Sequence, residues 1–285
     1  MANTLSTKTY RDKYRKAALE VALRNGLVAE KIMEVDRSDA KTIQAPYQTA
    51  PTVVVQALAG TYTPAEYVIT DDTLTVSDEF IVSEHVFDFE NTLAKFDLFA
   101  ARTEDMTYAV MANIDKFVLN VLCEDGTGAY TTPTGGFTTA SNINVIMSNL
   151  ISKVAGYSEM YNGTYLVIEN TDVPGFVQAQ ATNGFSYADM ALNNGFIGNY
   201  MGVDIYVVRT GTFVTATIGS RTDLSNSGHR VFGVKKMATY AAPRGIQFEE
   251  KGVTGKTGKE VVVFGYIGAK VWAPKAALTV DITLA

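Results

Sequence analysis

From Thr42 to Ala94 the chain holds no lysine or arginine, yet it carries eight carboxylates: Glu66, Asp71, Asp72, Asp78, Glu79, Glu84, Asp88 and Glu90. Its apolar residues fall in short runs, Pro51-Thr-Val-Val-Val55, Glu66-Tyr-Val-Ile-Thr70 and Phe80-Ile-Val-Ser83, broken by Pro46, Pro51, Gly60 and Pro64. β-branched runs between such breakers read as strands and turns, with Asp71-Asp72 forming a turn before Leu74. A long acidic hairpin cannot bury much of itself against its own domain without cationic partners. It suits lying across a neighbouring molecule that supplies the positive charge. The expectation is an assembly protein.

The totals narrow the alternatives. With 24 basic and 30 acidic residues the net charge is −6, so a surface-wide basic footprint for nucleic acid is absent. A chain of 285 residues, 47% hydrophobic and 19% charged, is an ordered globular protein of one large domain or two smaller ones. Fifteen tyrosines and fourteen phenylalanines suit both cores and subunit interfaces. The lone cysteine, Cys123, cannot form an intrachain disulfide and points to a reducing compartment. The first ten residues lack the apolar stretch of a secretory signal, and no run is apolar enough to span a bilayer. These features describe a protein made in the cytosol, without a membrane partner.

Residues 8–25 have amphipathic spacing in Tyr10, Tyr14, Ala17, Ala18, Val21 and Ala22, with a stop at Asn25-Gly26. Its first half sets Lys8, Arg11, Lys13, Arg15 and Lys16 against the single acid Asp12. That half is either a solvated helix face or an arm that docks on a partner, the acidic hairpin of a neighbour being one candidate. From Glu90 to Leu122 the apolar period becomes helical through Leu93, Phe96, Ala100, Val110, Ile114, Phe117, Val118 and Val121. Roughly thirty residues would make a rod about 45–50 Å long. Glu124-Asp-Gly-Thr-Gly-Ala129 ends it. Beyond a Gly135-Gly136 linker the pattern predicts a helix over 142–154, a strand over 164–168, and a turn over 172–176 leading into a short helix. Strands follow over 195–198, 200–208, 230–234, 245–249, 260–264 and 277–283.

Little in the sequence suggests chemistry. His85 and His229 have neither a second histidine nor a cysteine at ligand spacing, so no metal site is expected. His85 reads as a surface or interface side chain and Cys123 as a small buried hydrophobe. Gly255-Lys-Thr-Gly-Lys259 is not a phosphate loop, because the first glycine of that pattern would fall at Glu250; a hairpin turn between Phe248 and Val261 explains it better. Nucleophile-elbow and dinucleotide fingerprints are absent. Neither an enzyme nor a cofactor is expected.

The order of parts resembles the major capsid protein of tailed bacteriophages, whose shell fold also occurs in encapsulins and in the herpesvirus capsid floor. Three segments carry the likeness. Residues 73–90 match the returning strand of the family's extended loop where it enters the spine helix. Tyr165-Leu-Val-Ile-Glu-Asn170 with Pro174 looks like its central strand and following helix. Gly195-Phe-Ile-Gly-Asn-Tyr-Met-Gly-Val-Asp-Ile-Tyr206 is similar to its recurrent Gly-x-Ile-Gly segment.

The resemblance implies an α+β fold with an N-terminal arm (1–41) and an extended β-hairpin loop (42–89). A peripheral domain with the long spine helix would comprise 90–129 and 245–285, and an axial domain 130–244. It implies a structural shell protein that forms pentamers and hexamers enclosing packaged double-stranded DNA in the virion, assembled in the host cytoplasm. The partners implied are a separate scaffolding protein, a portal and decoration proteins, with DNA contacted only weakly and without specificity. An encapsulin-type compartment around an enzyme cargo is the alternative. Candidate inter-subunit contacts are Glu66, Asp71, Asp72, Asp78 and Glu79 on the loop, opposed by Lys8, Arg11, Lys13, Arg15 and Lys16 of the arm and by Arg102, Lys116, Lys235, Lys236 and Arg244. Some family members crosslink a loop lysine to a neighbour's asparagine; this loop has no lysine, so that link is not expected there.

Overall fold

A computed structural model describes residues 27–48, 68–87, 98–182, 196–222, 224–255 and 257–285, together with Val53, Val55 and Gly60. The basic segment 8–25, most of the run around 51–67 and the first residues expected in the long helix lie outside these.

The long helix α2 (Leu98–Asp125) follows a four-residue helix α1 (Ala29–Ile32) and the strands β1 (Glu34–Asp36), β2 (Thr42–Gln48), β3 (Ile69–Thr75) and β4 (Asp78–Val86). At 28 residues α2 is about 42 Å long. It lies between two sheets. Met106, Val110, Ile114, Phe117, Val118, Val121 and Leu122 share one core with Tyr165, Val167 and Val231 on one side and Val261, Val263 and Ile267 on the other. Phe117 through Cys123 is accordingly buried on every face, which a helix tolerates only when enclosed. Gly126 ends it at a point without room for a side chain: a Cβ there would meet the carbonyl oxygens of Thr279 at 2.8 Å and Leu122 at 2.9 Å.

The first sheet is organised by β12 (Lys259–Val271), which pairs antiparallel with β4, with β10 (Ala238–Ala241) and with β11 (Gln247–Gly252), while β1 adds parallel to β10. The β11–β12 hairpin puts Phe248 opposite Val263 and Glu250 opposite Val261, so the glycine–lysine run after Gly252 is a hairpin loop.

The second sheet has six strands in the order β5 (Gly128–Thr131), β13 (Thr279–Thr283), β9 (His229–Val234), β6 (Thr164–Glu169), β8 (Val203–Val208), β7 (Phe196–Tyr200). Every residue of β6 is buried. Tyr165 and Val167 point toward α2, whereas Leu166 and Ile168 face a second core made with Ile143, Ile146, Met147, Leu150 and Val154 of α3 (Ala140–Val154) and Phe176 of α4 (Val173–Thr182). The period-2 and period-3.6 patterns therefore meet on one sheet.

Two expectations need correction. Asp71-Asp72 is no turn: β3 runs straight through it, paired with β2 in the register Pro46↔Asp71 and Ala45↔Asp72. The carboxylate of Asp72 is held by partners across the fold, so tertiary contacts override turn propensity. The segment 172–176 is already helical from Val173, because the Asp172 carboxylate accepts the Glu169 amide at 3.2 Å in a capping box and Pro174 sits in the first turn. The last strand, β13, belongs to the six-stranded sheet. Val280 and Ile282 alternate into the α3/α4 core while the backbone bridges β5 and β9.

Candidate functional site

The hairpin β2–β3 leaves the body almost unburied. No residue of β2 is buried, and in β3 only Asp72 and Leu74 are. Val53 and Val55 are 83% and 92% exposed, and Val68 and Ile69, where β3 begins, are each 58% exposed. Exposed apolar side chains of this kind are candidates for a contact surface.

At its root the hairpin is bolted down by charge. Asp72, 8% exposed, accepts the Ala273 amide at 2.8 Å and pairs with Lys270, whose ammonium also donates to the Thr73 carbonyl at 2.8 Å. Burial works against this carboxylate, but the Ala273 amide and Lys270 together hold it below the usual aspartate range. Asp78, 6% exposed, accepts the Ser220 amide and hydroxyl and the Ser77 hydroxyl. Arg221, next to that serine, reaches Asp125 at the end of α2 at 2.9 Å. Arg102 on α2 donates to both oxygens of Glu84 at 2.8 and 2.5 Å, a two-pronged pair between helix and β4. These groups, except the Arg102 pair, line a cleft of about 600 Å³ between the hairpin root, β12 and the end of α2.

Two acids of the stretch are paired with cations of the same chain, Asp72 with Lys270 and Glu84 with Arg102, where a neighbouring molecule was expected to supply the charge. Asp72, Asp78 and Arg102 are engaged internally. Asp71 and Glu79 stay exposed. Lys116 lines a smaller cavity of about 220 Å³ beside α2. Lys235 pairs with Asp204 beside the Tyr206 ring; burial opposes its charge, but Asp204 and the Tyr206 hydroxyl raise its pKa. Lys236 is exposed, its amide donating to the Ile32 carbonyl at 2.8 Å. Arg244 reaches the equally exposed Asp39 at 3.3 Å. Among the described residues none of these last four cations touches an acid of the hairpin. Lys8, Arg11, Lys13, Arg15, Lys16 and Glu66 lie outside the described residues.

Sequence reasoning missed the buried polar ties. Arg230 is enclosed with Asp172 at 2.5 Å and Glu169 at 3.2 Å, and Glu169 also accepts the Gly211 amide at 2.9 Å. Asn120, fully buried on α2, donates to the Thr212 carbonyl and accepts from the Val214 amide and Asn226. A polar residue inside an apolar helical pattern is the trace Asn120 leaves in sequence, and a charge at the start of the apolar strand β9 is the trace left by Arg230. His85 is half-buried with its ring edge-on to Phe87 at 4.3 Å, and Cys123 is buried. Burial and nearby Asp281 push the Cys123 thiol well above its ordinary pKa, which suits an inert packing role. Among the described residues no cluster of His, Cys, Asp or Glu is placed to hold a metal, and no helix is long and apolar enough to cross a membrane.

No family model and no curated protein sequence matches the chain. Solved structures do. The capsid of the cyanophage P-SCSP1u is 14% identical with a TM-score of 0.70, over 99% of this chain and 93% of that one. The capsid of the native GTA particle is 12% identical with a TM-score of 0.69, over 100% and 99%. The mature capsid of bacteriophage PhiM1 is 10% identical with a TM-score of 0.63, over 89% and 85%. Such identities carry the architecture and nothing finer. The hairpin, the enclosed long helix and the two sheets are together the capsid fold of tailed bacteriophages.

Proposed function

We propose that this chain is the structural subunit of a tailed-phage head. Its copies associate into pentamers and hexamers that close into an icosahedral shell around packaged double-stranded DNA. The observation that supports this reading, beyond the fold, is the hairpin: rooted by Asp72 and Asp78, it carries exposed valines and an isoleucine that no described residue of its own chain covers. An adjacent copy is the surface that would. In this reading 1–41 is the arm, 42–89 the loop, 90–129 and 245–285 the peripheral domain with β13 lent to the neighbouring sheet, and 130–244 the axial domain. Asp71 and Glu79 are then the described loop acids free to meet a neighbour's Lys116, Lys236 or Arg244, or the basic residues of its arm. A scaffolding protein, a portal and decoration proteins are further partners. DNA is held only by weak contact, since an acidic chain releases few counterions on binding it.

Size-exclusion chromatography with negative-stain microscopy of the purified chain tests this. Closed shells, tubes or rings of five and six are expected. A monomer that persists when the chain is co-expressed with its genomic neighbours overturns the reading, and an enzyme cargo inside the shells would instead indicate a cargo compartment.

A further inference from the structure

The cavity of about 220 Å³ beside α2 is lined by Asn113 and Lys116 of the helix and by Arg209, Thr210 and Gly211 of the loop after β8. Two cations thus border one hollow in a chain whose net charge is −6. Among the described residues neither the Lys116 nor the Arg209 side chain meets an acid or a hydrogen-bond acceptor. In this they differ from Arg37, Arg102, Arg221, Arg230, Lys235 and Lys270, each of which is paired within the chain. The carboxylates nearby are already occupied. Asp115 lines the same cavity, but its two oxygens accept the Val28 amide at 2.9 Å and the Ala29 amide at 3.0 Å. Glu169 is taken by the Gly211 amide and by Arg230. Further positive charge stands close by: the ammonium groups of Lys31 and Lys235 lie 6.0 and 5.6 Å from the centre of the Tyr206 ring on β8. Two like charges held at one hollow repel each other until an anion lies between them.

We propose that Lys116 and Arg209 form a socket for a carboxylate side chain of a second copy, supplied by its acidic hairpin at Asp71 or Glu79. Charge complementarity selects this occupant. The stretch from Thr42 to Ala94 carries eight carboxylates and no cation. With Asp72, Asp78 and Glu84 engaged inside the chain, Asp71 and Glu79 remain exposed, and among the described residues no cation meets them. One carboxylate can take a two-pronged pair from a guanidinium and a further bond from an ammonium. The acids of the same copy do not fill the socket: no residue lines both this cavity and the cleft at the hairpin root. A contact between two unlike patches is heterologous, so copies would join head to tail, and a ring forms where the rotation closes. A phosphodiester would satisfy the same cations, but the surplus of acids on the chain's own hairpin favours the carboxylate.

The socket rests on the shell reading, and its test tells the two failures apart. Heavy-isotope-labelled and unlabelled full-length chains are mixed equally, assembled, and treated with a carbodiimide. The reagent joins a lysine amine to a touching carboxyl as an amide, the carboxyl oxygen leaving as a urea. Mass spectrometry should find the Lys116 peptide linked to the Asp71 or Glu79 peptide in mixed-isotope pairs. Lys116→Glu with Arg209→Glu should raise the protein concentration needed for assembly at least about tenfold, and adding Asp71→Lys with Glu79→Lys should recover most of that loss. Wild-type shells without a mixed-isotope link at Lys116 overturn the socket and leave the shell standing, as does a Lys116/Arg209 variant that assembles at the wild-type concentration. If that variant keeps normal assembly and loses affinity for a double-stranded DNA oligonucleotide, the cations serve phosphate and the carboxylate assignment falls. Should the variant fail to fold, the links in the wild type decide alone. A wild type that stays monomeric, with links only inside single-isotope chains, overturns shell and socket together.

Discussion

The strand β6 and the hairpin β2–β3 are both β-rich sequence, yet one is enclosed on both faces and the other is nearly naked. β6 takes its stability from two cores within the chain, helices on one face and α2 on the other. The hairpin takes its position from the Asp72 and Asp78 ties at its root and leaves apolar side chains exposed. Self-sufficiency in one region and incompleteness in the other are what a repeating assembly needs. In the proposed assembly each copy would fold alone and then offer a surface for another copy to complete.

The sharpest way to break the self-sufficient region is Arg230→Ala. It leaves Glu169 and Asp172 facing each other in a buried site, and removing one partner from such an ion cluster costs about 3–5 kcal/mol. Thermal or urea unfolding of the unassembled chain should show a drop of that order. Gly175→Ala comes next. A Cβ at Gly175 would fall well inside contact distance of the Phe137 carbonyl oxygen, where α4 crosses the turn before α3. Overpacking of this kind costs about 1–3 kcal/mol, read from the same unfolding curves.

At the hairpin root the effects should be smaller and partly local. Asp78→Ala strips acceptors from the Ser220 amide and hydroxyl, at about 1.5–3 kcal/mol for charge-assisted bonds. Asp72→Asn tests the sign of a pH effect. Its carboxylate is more acidic in the folded state, so the stability it contributes is present above the ordinary aspartate pKa of about 4 and is lost as the pH falls through the lowered value. The variant should therefore lose stability near neutral pH and show a shallower decline in acid. A variant with the wild-type acid profile would mean that Asp72 does not anchor the hairpin.

How much of this could be read from sequence follows from the reach of each signal. The long helix and most strands announced themselves through side-chain period, which is local. The ties that position the candidate surface were silent, because Asp72 meets Ala273 across 201 residues and Asp78 meets Ser220 across 142. A charge count along the chain showed acids without neighbouring bases and suggested an unpaired hairpin. Folding brings Lys270 and Arg102 to two of those acids. The structure adds an apolar feature that the charge argument did not contain: no described residue covers Val53 and Val55, whereas the acids near the root are engaged.

That division gives the prediction with the least effect on the chain itself. Replacing Val53 and Val55 by serine removes no buried contact, since both side chains are almost wholly exposed, so unfolding of the unassembled protein should change by less than about 0.5 kcal/mol. Assembly is another matter. If the hairpin's free energy comes from covering those side chains with a second copy, the loss recurs at every contact, and many weak contacts fail together. The double variant should stay a folded monomer or small oligomer under conditions where the wild type forms shells, as read by chromatography and microscopy. Normal shells from it would shift the burden of contact to the charged groups, with Asp71→Lys and Glu79→Lys as the deciding pair. A variant that unfolds would show instead that the hairpin is covered by its own chain, and the contrast between the two regions would disappear.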